Sequence, residues 1–241
     1  VLLGDGVRAV ITDRRGGVSA EPYGSRNLGG MVGDDPEAVR RNRHDTAVEL
    51  GIDPARVVMM RQVHGREVRF VTEPFGDEAP GLDAICTDRP GLALNVLVAD
   101  CAPVLVADPV ARVVGAAHSG RPGTQLGVVP ALVEAMAARG AEPSRMAVLV
   151  GPMACGLCYE VPAEMREDVA RSVPETWATT RQGTPAVNLR AGIEAQLRKA
   201  GITDIRHDTR CTIETAELYS YRRDQRTGRF GGFIWLDDSA M

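Results

Sequence analysis

The stretch ADCAPVLVADPVARVVGAAHS, Ala99–Ser119, decides the fold. Val104–Ala107 and Arg112–Ala117 read as short β segments, and Asp108-Pro109-Val110-Ala111 between them is turn chemistry. A simple antiparallel hairpin centred between Pro109 and Val110 pairs Ala107 with Arg112 and Leu105 with Val114. It sets Cys101 opposite His118. Directly opposed residues share a face, with Cβ atoms about 5 Å apart. That separation suits a thiolate and an imidazole on one metal, or a Cys–His nucleophile pair. A one-residue slip turns one of the two away.

Outward from the hairpin, helix and strand patterns follow one another along the whole chain. Val7–Thr12 reads as a strand and is followed by a glycine-rich loop from Arg14 to Gly30. Asp35-Pro36 is an N-cap with proline at the first helical position, and Gly51 supplies the left-handed stop after Leu50. Val57–Val63 and Glu67–Thr72 read as two strands joined at His64-Gly65, before a polar loop over Glu73–Gly81. Leu92–Val98 is apolar on both faces apart from Asn95, the pattern of a strand covered on both sides. Leu126, Val129, Leu132, Val133 and Met136 have helical spacing, with Pro130 limiting where that helix begins. Met146–Val150 is another strand, helices fit Pro162–Arg171 and Asn188–Gly201, and Arg229–Leu236 closes the chain as a strand. This order predicts a mixed α/β (α+β) fold, a single domain over 1–241, with no repeat or linker.

Composition sets the class. The chain has 241 residues, 44% hydrophobic and 25% charged, ordinary for a globular protein. Its net charge of −4 and scattered basic residues argue against nucleic acid or an anionic membrane as the main partner. No apolar run approaches the roughly 20 residues that span a bilayer. Five cysteines, an odd number in a chain too large to depend on disulfides, point to a reduced, cytoplasmic protein. Val1 is not an initiator methionine, so a removed leader stays open; nothing present reads as one.

His64, Cys101 and His118 supply the three protein ligands of a catalytic zinc, which keeps a fourth position open. Their separations are too long for a finger, so the fold must assemble them. The competing reading is two strand-end histidines bonded to backbone and a buried thiol. Cys155-Gly-Leu-Cys158 resembles half of a zinc or redox motif, but there is no second CxxC and no His-x-Glu partner. Two thiols packing a loop after a strand is the reading taken. Ser119–Thr124 joins a strand to a helix and can hold an anion, and Arg14 offers a second anion contact. Tyr221-Arg222-Arg223-Asp224 reads as salt-bridged surface; His44 and His207 receive no role.

The motifs together resemble the bacterial laccase-domain proteins, polyphenol oxidoreductases also described as purine nucleoside phosphorylases of the YfiH type. The matching stretches include Arg14–Ser19, Asn27-Leu28-Gly29, Gln62-Val63-His64-Gly65, Ala99–Val104, His118-x-Gly120, Cys158–Val161, Arg210-Cys211-Thr212 and Ser220–Asp224. The resemblance implies central packed sheets flanked by helices, and zinc (Zn2+) on His64, Cys101 and His118, with copper possible at the same ligands in vitro. It implies phosphorolysis of adenosine, inosine and S-methyl-5'-thioadenosine, deamination of adenosine, and purine nucleosides and phosphate as the small-molecule partners. Asp100 beside the thiolate is the candidate catalytic acid, and Arg14, Asn27 and Gln62 are the expected substrate contacts. Many relatives carry Trp-Arg-Gly where this chain has Arg121-Pro122-Gly123, which displaces the basic group by one position. Four histidines are far too few for a multicopper oxidase, whose coppers rest mainly on imidazole. Two other functions use the same residues: a Cys101–His118 amide hydrolase editing a peptidoglycan precursor, and a non-catalytic nucleoside-binding protein.

Overall fold

Asp108 sets the hairpin at the centre of the molecule. Its buried carboxylate accepts from the N–H groups of Val110 and Ala111, and Arg112 takes φ +52°. The turn is therefore four residues long, and the register is Ala107↔Val114, Leu105↔Ala116 and Pro103↔His118. The expected pairing of Cys101 with His118 is thus corrected by two residues. A two-residue shift preserves which face each side chain takes, so Cys101, one step before its strand, still points to the side of His118.

A computed structural model describes residues 1–76 and 78–238; Asp77, in the loop expected over Glu73–Gly81, and residues 239–241 lie outside the described residues. In chain order the strands are β1 (Val7–Ile11), β2 (Val57–Val58), β3 (Val68–Phe70), β4 (Ala84–Thr87), β5 (Ala93–Val98) and β6 (Ala102–Asp108). β7 (Val113–Ser119), β8 (Ala147–Val150), β9 (Trp177–Thr179), β10 (Pro185–Val187), β11 (Asp204–His207) and β12 (Phe230–Leu236) follow. The helices are α1 (Pro36–Glu49), α2 (Arg121–Leu126), α3 (Val128–Ala137), α4 (Ala163–Ser172), α5 (Leu189–Lys199) and α6 (Tyr221–Asp224).

The strands form a four-stranded sheet, β1-β12-β5-β2, a six-stranded sheet, β11-β8-β6-β7-β4-β3, and the small hairpin β9-β10. Both large sheets are mixed: β2–β5, β3–β4 and β11–β8 are parallel and the other pairs antiparallel. Leu94, Val96, Phe230 and Ile234 of one sheet share a core with Ile85, Leu105, Val114, Ala116 and Leu149 of the other. The opposite face of the six-stranded sheet packs Val104, Val106, Val148 and Val150 against Val129, Leu132 and Met136 of α3 and Ile193 and Leu197 of α5. α1 covers the outer face of the smaller sheet through Ala47, near Phe233 and Trp235. The result is four layers, helix–sheet–sheet–helix. Every residue of β6 and β7 is buried, as strands covered on both faces must be.

Most local signals act as read. Asp35 caps α1 by accepting from Glu37 N–H, and Gly51 follows at φ +73°; Asn188 caps α5 through Ala191 N–H. Two expectations fail. The helix expected through Leu126–Met136 is two helices, because Gly127 takes a left-handed conformation that ends α2 before α3 begins. The pair expected over Val57–Val63 and Glu67–Thr72 shrinks to β2 and β3, which belong to different sheets. Between them the chain is a loop, because the Val63, His64 and Gly65 N–H groups turn to the Asp83 carboxylate. Among the described residues no helix is long and apolar enough to cross a membrane.

Candidate metal centre and active-site cleft

The loop 60–65, the start of β6 and the end of β7 meet at one edge of the inter-sheet core. There the ligand atoms of His64, Cys101 and His118 all lie within 4.8 Å of one another. Cys101 Sγ is 3.7 Å from His64 Nε2, and the two imidazole rings stand edge-on with centroids 4.7 Å apart. His118 is buried, Cys101 partly exposed and His64 exposed, so the cluster opens to solvent on the His64 side. Gly120 completes the cradle: a Cβ there would sit 2.7 Å from Cys101 Sγ and 2.9 Å from His64 Cδ2. Two imidazoles and a thiolate, convergent and open on one side, fit a catalytic zinc. Hard cations that prefer oxygen donors are poorly matched to this set.

Asp83, which the sequence reading did not single out, organises the centre. It is fully buried and accepts His118 Nδ1 at 2.8 Å and the three N–H groups of Val63, His64 and Gly65. The bond to Nδ1 selects, for the neutral ring, the tautomer whose Nε2 is free toward Cys101, the form a metal would take by displacing the Nε2 proton. His64 is held at φ +60° by the same carboxylate, a conformation that β-carbon sterics disfavour. The available signal was a lone carboxylate in the apolar run Leu82-Asp83-Ala84-Ile85.

Charge in the centre is polarised. Burial opposes the Cys101 thiolate, but the charge and hydrogen bond of His118, then those of His64, prevail and hold its pKa at about 6. Burial likewise opposes the His118 imidazolium, and the Cys101 charge and the Asp83 carboxylate raise it to about 9. Without metal the pair is therefore a thiolate–imidazolium at neutral pH. A thiolate already formed is what both metal binding and nucleophilic attack need.

The centre forms the floor of a cleft of about 740 Å³, a size suited to a small ligand. Five arginines line it: Arg43, Arg61, Arg121, Arg222 and Arg229. Among the described residues the guanidiniums of Arg61 and Arg121 have no hydrogen-bond or ion-pair partner. The displaced arginine, Arg121, thus still reaches the cleft.

The other expected contacts separate. Gln62 lines the cleft, but its amide is spent on the backbone of Leu97, to which Nε2 donates at 2.7 Å and from which Oε1 accepts at 2.8 Å. Asp100 also lines the cleft, at φ +100°, where its carboxylate accepts Thr212 Oγ1, Ser220 Oγ and Arg222 N–H. Asn27 is fully buried away from the cleft and ties Gly29, Asp34 and Arg229 N–H together. Arg14 is also outside it: the guanidinium lies over the Tyr219 ring and donates to Gly24 O. Arg222, read from sequence as salt-bridged surface, is exposed on the cleft wall, where its guanidinium donates to Glu160 O rather than to an acid. The CxxC pair, read as loop packing, has Cys211 and Glu214 beside it.

The family model described as "Multi-copper polyphenol oxidoreductase laccase" matches residues 8–237. The chain is 59% identical to the purine nucleoside phosphorylase ORF3 of Streptomyces griseus, covering 94% of this chain and 93% of that one. It is 55% identical to a purine nucleoside phosphorylase of Streptomyces coelicolor, with 97% of each chain covered. Among solved structures, YlmD from Geobacillus stearothermophilus superposes with TM-score 0.90 at 33% identity, covering 97% of this chain and 93% of that chain. The hypothetical protein YfiH of Bacillus licheniformis gives 0.89 at 32% identity, covering 96% and 93%. With this extent of match, the chain belongs to the laccase-like polyphenol oxidoreductase family whose curated relatives carry the name purine nucleoside phosphorylase.

Proposed function

We propose that this chain is a zinc-dependent purine nucleoside phosphorylase acting on adenosine, inosine and S-methyl-5'-thioadenosine, with adenosine deaminase activity, in the cytoplasm. The observation that carries the reading is the cleft itself, in which unpartnered arginines face a three-ligand metal centre. The names of the relatives supply the substrate class, and five unpaired cysteines suit a reducing compartment. His64, Cys101 and His118 hold the metal, which supplies a Lewis acid that makes water reactive at neutral pH.

The remaining chemistry belongs to the chain. Arg61 and Arg121 bind the phosphate dianion through paired N–H donors, a geometry that guanidinium matches well. Phosphorolysis forms a bond from a phosphate oxygen to ribose C1′ as the bond to purine N9 breaks, and the bonding pair leaves with the base. Burial, then the Cys101 charge, raises the Tyr159 phenol, which keeps its proton and offers O–H to the departing purine. Asp100, with three donors already on its carboxylate, positions Arg222 and the segment 212–222 rather than delivering a proton. Deamination consumes one water and releases ammonia, converting adenosine to inosine in the same cleft.

Inosine with phosphate should yield hypoxanthine and ribose 1-phosphate, and adenosine without phosphate should yield inosine and ammonia. Absence of base release from all three nucleosides overturns the reading. The thiolate–imidazolium pair favours one alternative, a Cys101–His118 amide hydrolase. That enzyme would keep its activity in chelator and lose it when Cys101 is alkylated in metal-loaded protein. The phosphorylase instead loses activity in chelator, and its bound metal shields Cys101 from alkylation.

A further inference from the structure

We propose that Cys155, Cys158, Cys211 and Glu214 form a second, structural metal site that takes a thiolate-preferring divalent cation, zinc above all. Their ligand atoms all lie within 4.8 Å of one another, and none belongs to the His64–Cys101–His118 centre. The inference stands apart from the phosphorylase reading, because it concerns what holds the cleft wall together.

The backbone builds this cluster from two distant segments. After β8 the chain turns so that Cys158 N–H and Tyr159 N–H both donate to Cys155 O at 2.9 Å, which brings the first two thiols together. Parallel pairing of β8 with β11 carries the second segment alongside, and Met153 bridges Cys211 directly. There Glu214 N–H and Thr215 N–H donate to Cys211 O at 3.1 and 2.9 Å, a turn that swings the Glu214 carboxylate toward the sulfurs.

The donor count is informative. A disulfide would consume two thiols and leave the third with no function. Three thiols and a carboxylate make the four donors of a closed tetrahedral zinc site, and soft sulfur ligands disfavour magnesium and calcium. Burial above all pushes the free Cys158 and Cys211 thiols up, and donors face the sulfurs where a metal would displace their protons. Cys155 N–H donates to Cys211 Sγ at 3.4 Å, and Arg181 donates to Cys158 Sγ at 3.1 Å while pairing with Glu214. Arg190 and Arg223 lie within electrostatic reach of Cys211. Binding replaces three thiol protons, released to solvent, with one dication and leaves a complex of charge −2. The three guanidiniums offset that charge. Cys158 and Glu214 sit toward the surface and give the ion its entry.

The site would brace the cleft. Ala154 N–H donates to Asp100 O at 2.9 Å and Thr212 Oγ1 to the Asp100 carboxylate at 2.6 Å, while Tyr159 lines the cleft beside Cys158. A metal here therefore cross-links the two segments that meet at Asp100 and Tyr159 on the cleft wall.

The test separates the two centres. Elemental analysis should find about two zinc ions per wild-type chain and one in the double variant His64→Ala/Cys101→Ala, which keeps only the thiol cluster. In that background, cobalt added to reduced, metal-free protein should give a thiolate-to-metal charge-transfer band, and zinc should bleach it. Adding Cys155→Ser and Cys158→Ser should abolish the band. Zinc should also protect three thiols from a thiol reagent, a measurement that needs no further variant. Metal-free double variant with no cobalt–thiolate band overturns the proposal. So does a band that survives the serine substitutions, or a Cys155–Cys158 disulfide in reduced-purified protein that binds no metal.

Discussion

Asp83→Asn tests whether one buried carboxylate builds the metal centre. Asp83 Oδ1 accepts from His64 N–H and His118 Nδ1, and Oδ2 accepts from Val63 N–H and Gly65 N–H. An asparagine has one acceptor oxygen and one NH2, so either amide orientation sets a donor against two donors. With the oxygen toward His118, Val63 and Gly65 lose their acceptor. With the NH2 toward His118, Nδ1 must become the acceptor, the ring proton moves to Nε2, and the lone pair facing Cys101 is lost. Orphaned buried donors cost about 1–3 kcal/mol each. Val63 and Gly65 are not fully buried, so water recovers part of this, and the expected loss of stability is about 2–4 kcal/mol. A disturbed outer partner of a metal histidine also lowers metal affinity by roughly 10–100-fold. Urea unfolding of metal-free protein reads the first quantity, and zinc competition against a chromophoric chelator reads the second. Stability within about 0.5 kcal/mol of wild type, together with unchanged zinc affinity, would refute the role given to Asp83.

Three further outcomes are expected. Gly120→Ala keeps an allowed backbone, since φ is −80°, but drives its Cβ into Cys101 Sγ and His64 Cδ2; it should fold, lose metal and lose turnover, and full zinc content would count against the cradle. In metal-free protein, iodoacetamide should label Cys101 at a rate that rises with pH through about 6 as the thiolate forms, and zinc should protect it; a titration at the ordinary thiol value contradicts the ion pair with His118. Asp108→Asn should destabilise by about 2–4 kcal/mol, because the buried carboxylate serves Val110, Ala111 and Glu142 N–H and Arg145. Burial opposes the Asp108 charge, but those donors outweigh it and hold its carboxyl below the usual range. Its stabilisation is therefore complete above the unfolded pKa of about 3.9 and lost as pH falls through the lower folded value. Wild type and variant should converge on acidification, and a constant difference down to acid pH would be inconsistent with this.

Elements whose cause is local were legible in the sequence. Asp35-Pro36 and Asn188 start their helices because a side-chain oxygen caps an N–H two or three residues on, and the run Leu92–Val98, apolar on both faces apart from Asn95, marks a strand covered on both faces. Where tertiary hydrogen bonds compete with local pattern, the reading fails. Val57–Val63 has strand composition, yet the Asp83 carboxylate withdraws the N–H groups of residues 63–65 from any ladder. β4 was invisible for a related reason. It contributes only Ala84–Thr87, and its place between β3 and β7 is set by pairing with segments distant in sequence.

The candidate site divides along the same line. That His64, Cys101 and His118 come together was legible from residue chemistry, and a hairpin register wrong by two residues still set Cys101 and His118 on one face, because strand parity repeats every two. Gln62, Asn27 and Arg14 belong to matching motifs but differ in what they touch: Gln62 clamps β5, Asn27 pins the loop before α1, and Arg14 stacks on Tyr219. A motif marks residues that must be present, without separating those that meet a ligand from those that shape its container. The Cys155–Cys158 pair shows the converse. Alone it is two thiols in a loop; only the parallel pairing of β8 and β11, which no local pattern encodes, delivers Cys211 and Glu214 to it. The cleft is therefore a junction of long-range contacts, with Asp83 ordering the wall that carries His64 and Asp100 ordering the wall that carries Arg222. Substitution of either carboxylate should weaken inosine binding, read as Kd by calorimetry, more than loss of Arg61 or Arg121, because each carboxylate anchors a whole segment whereas those two guanidiniums hold none.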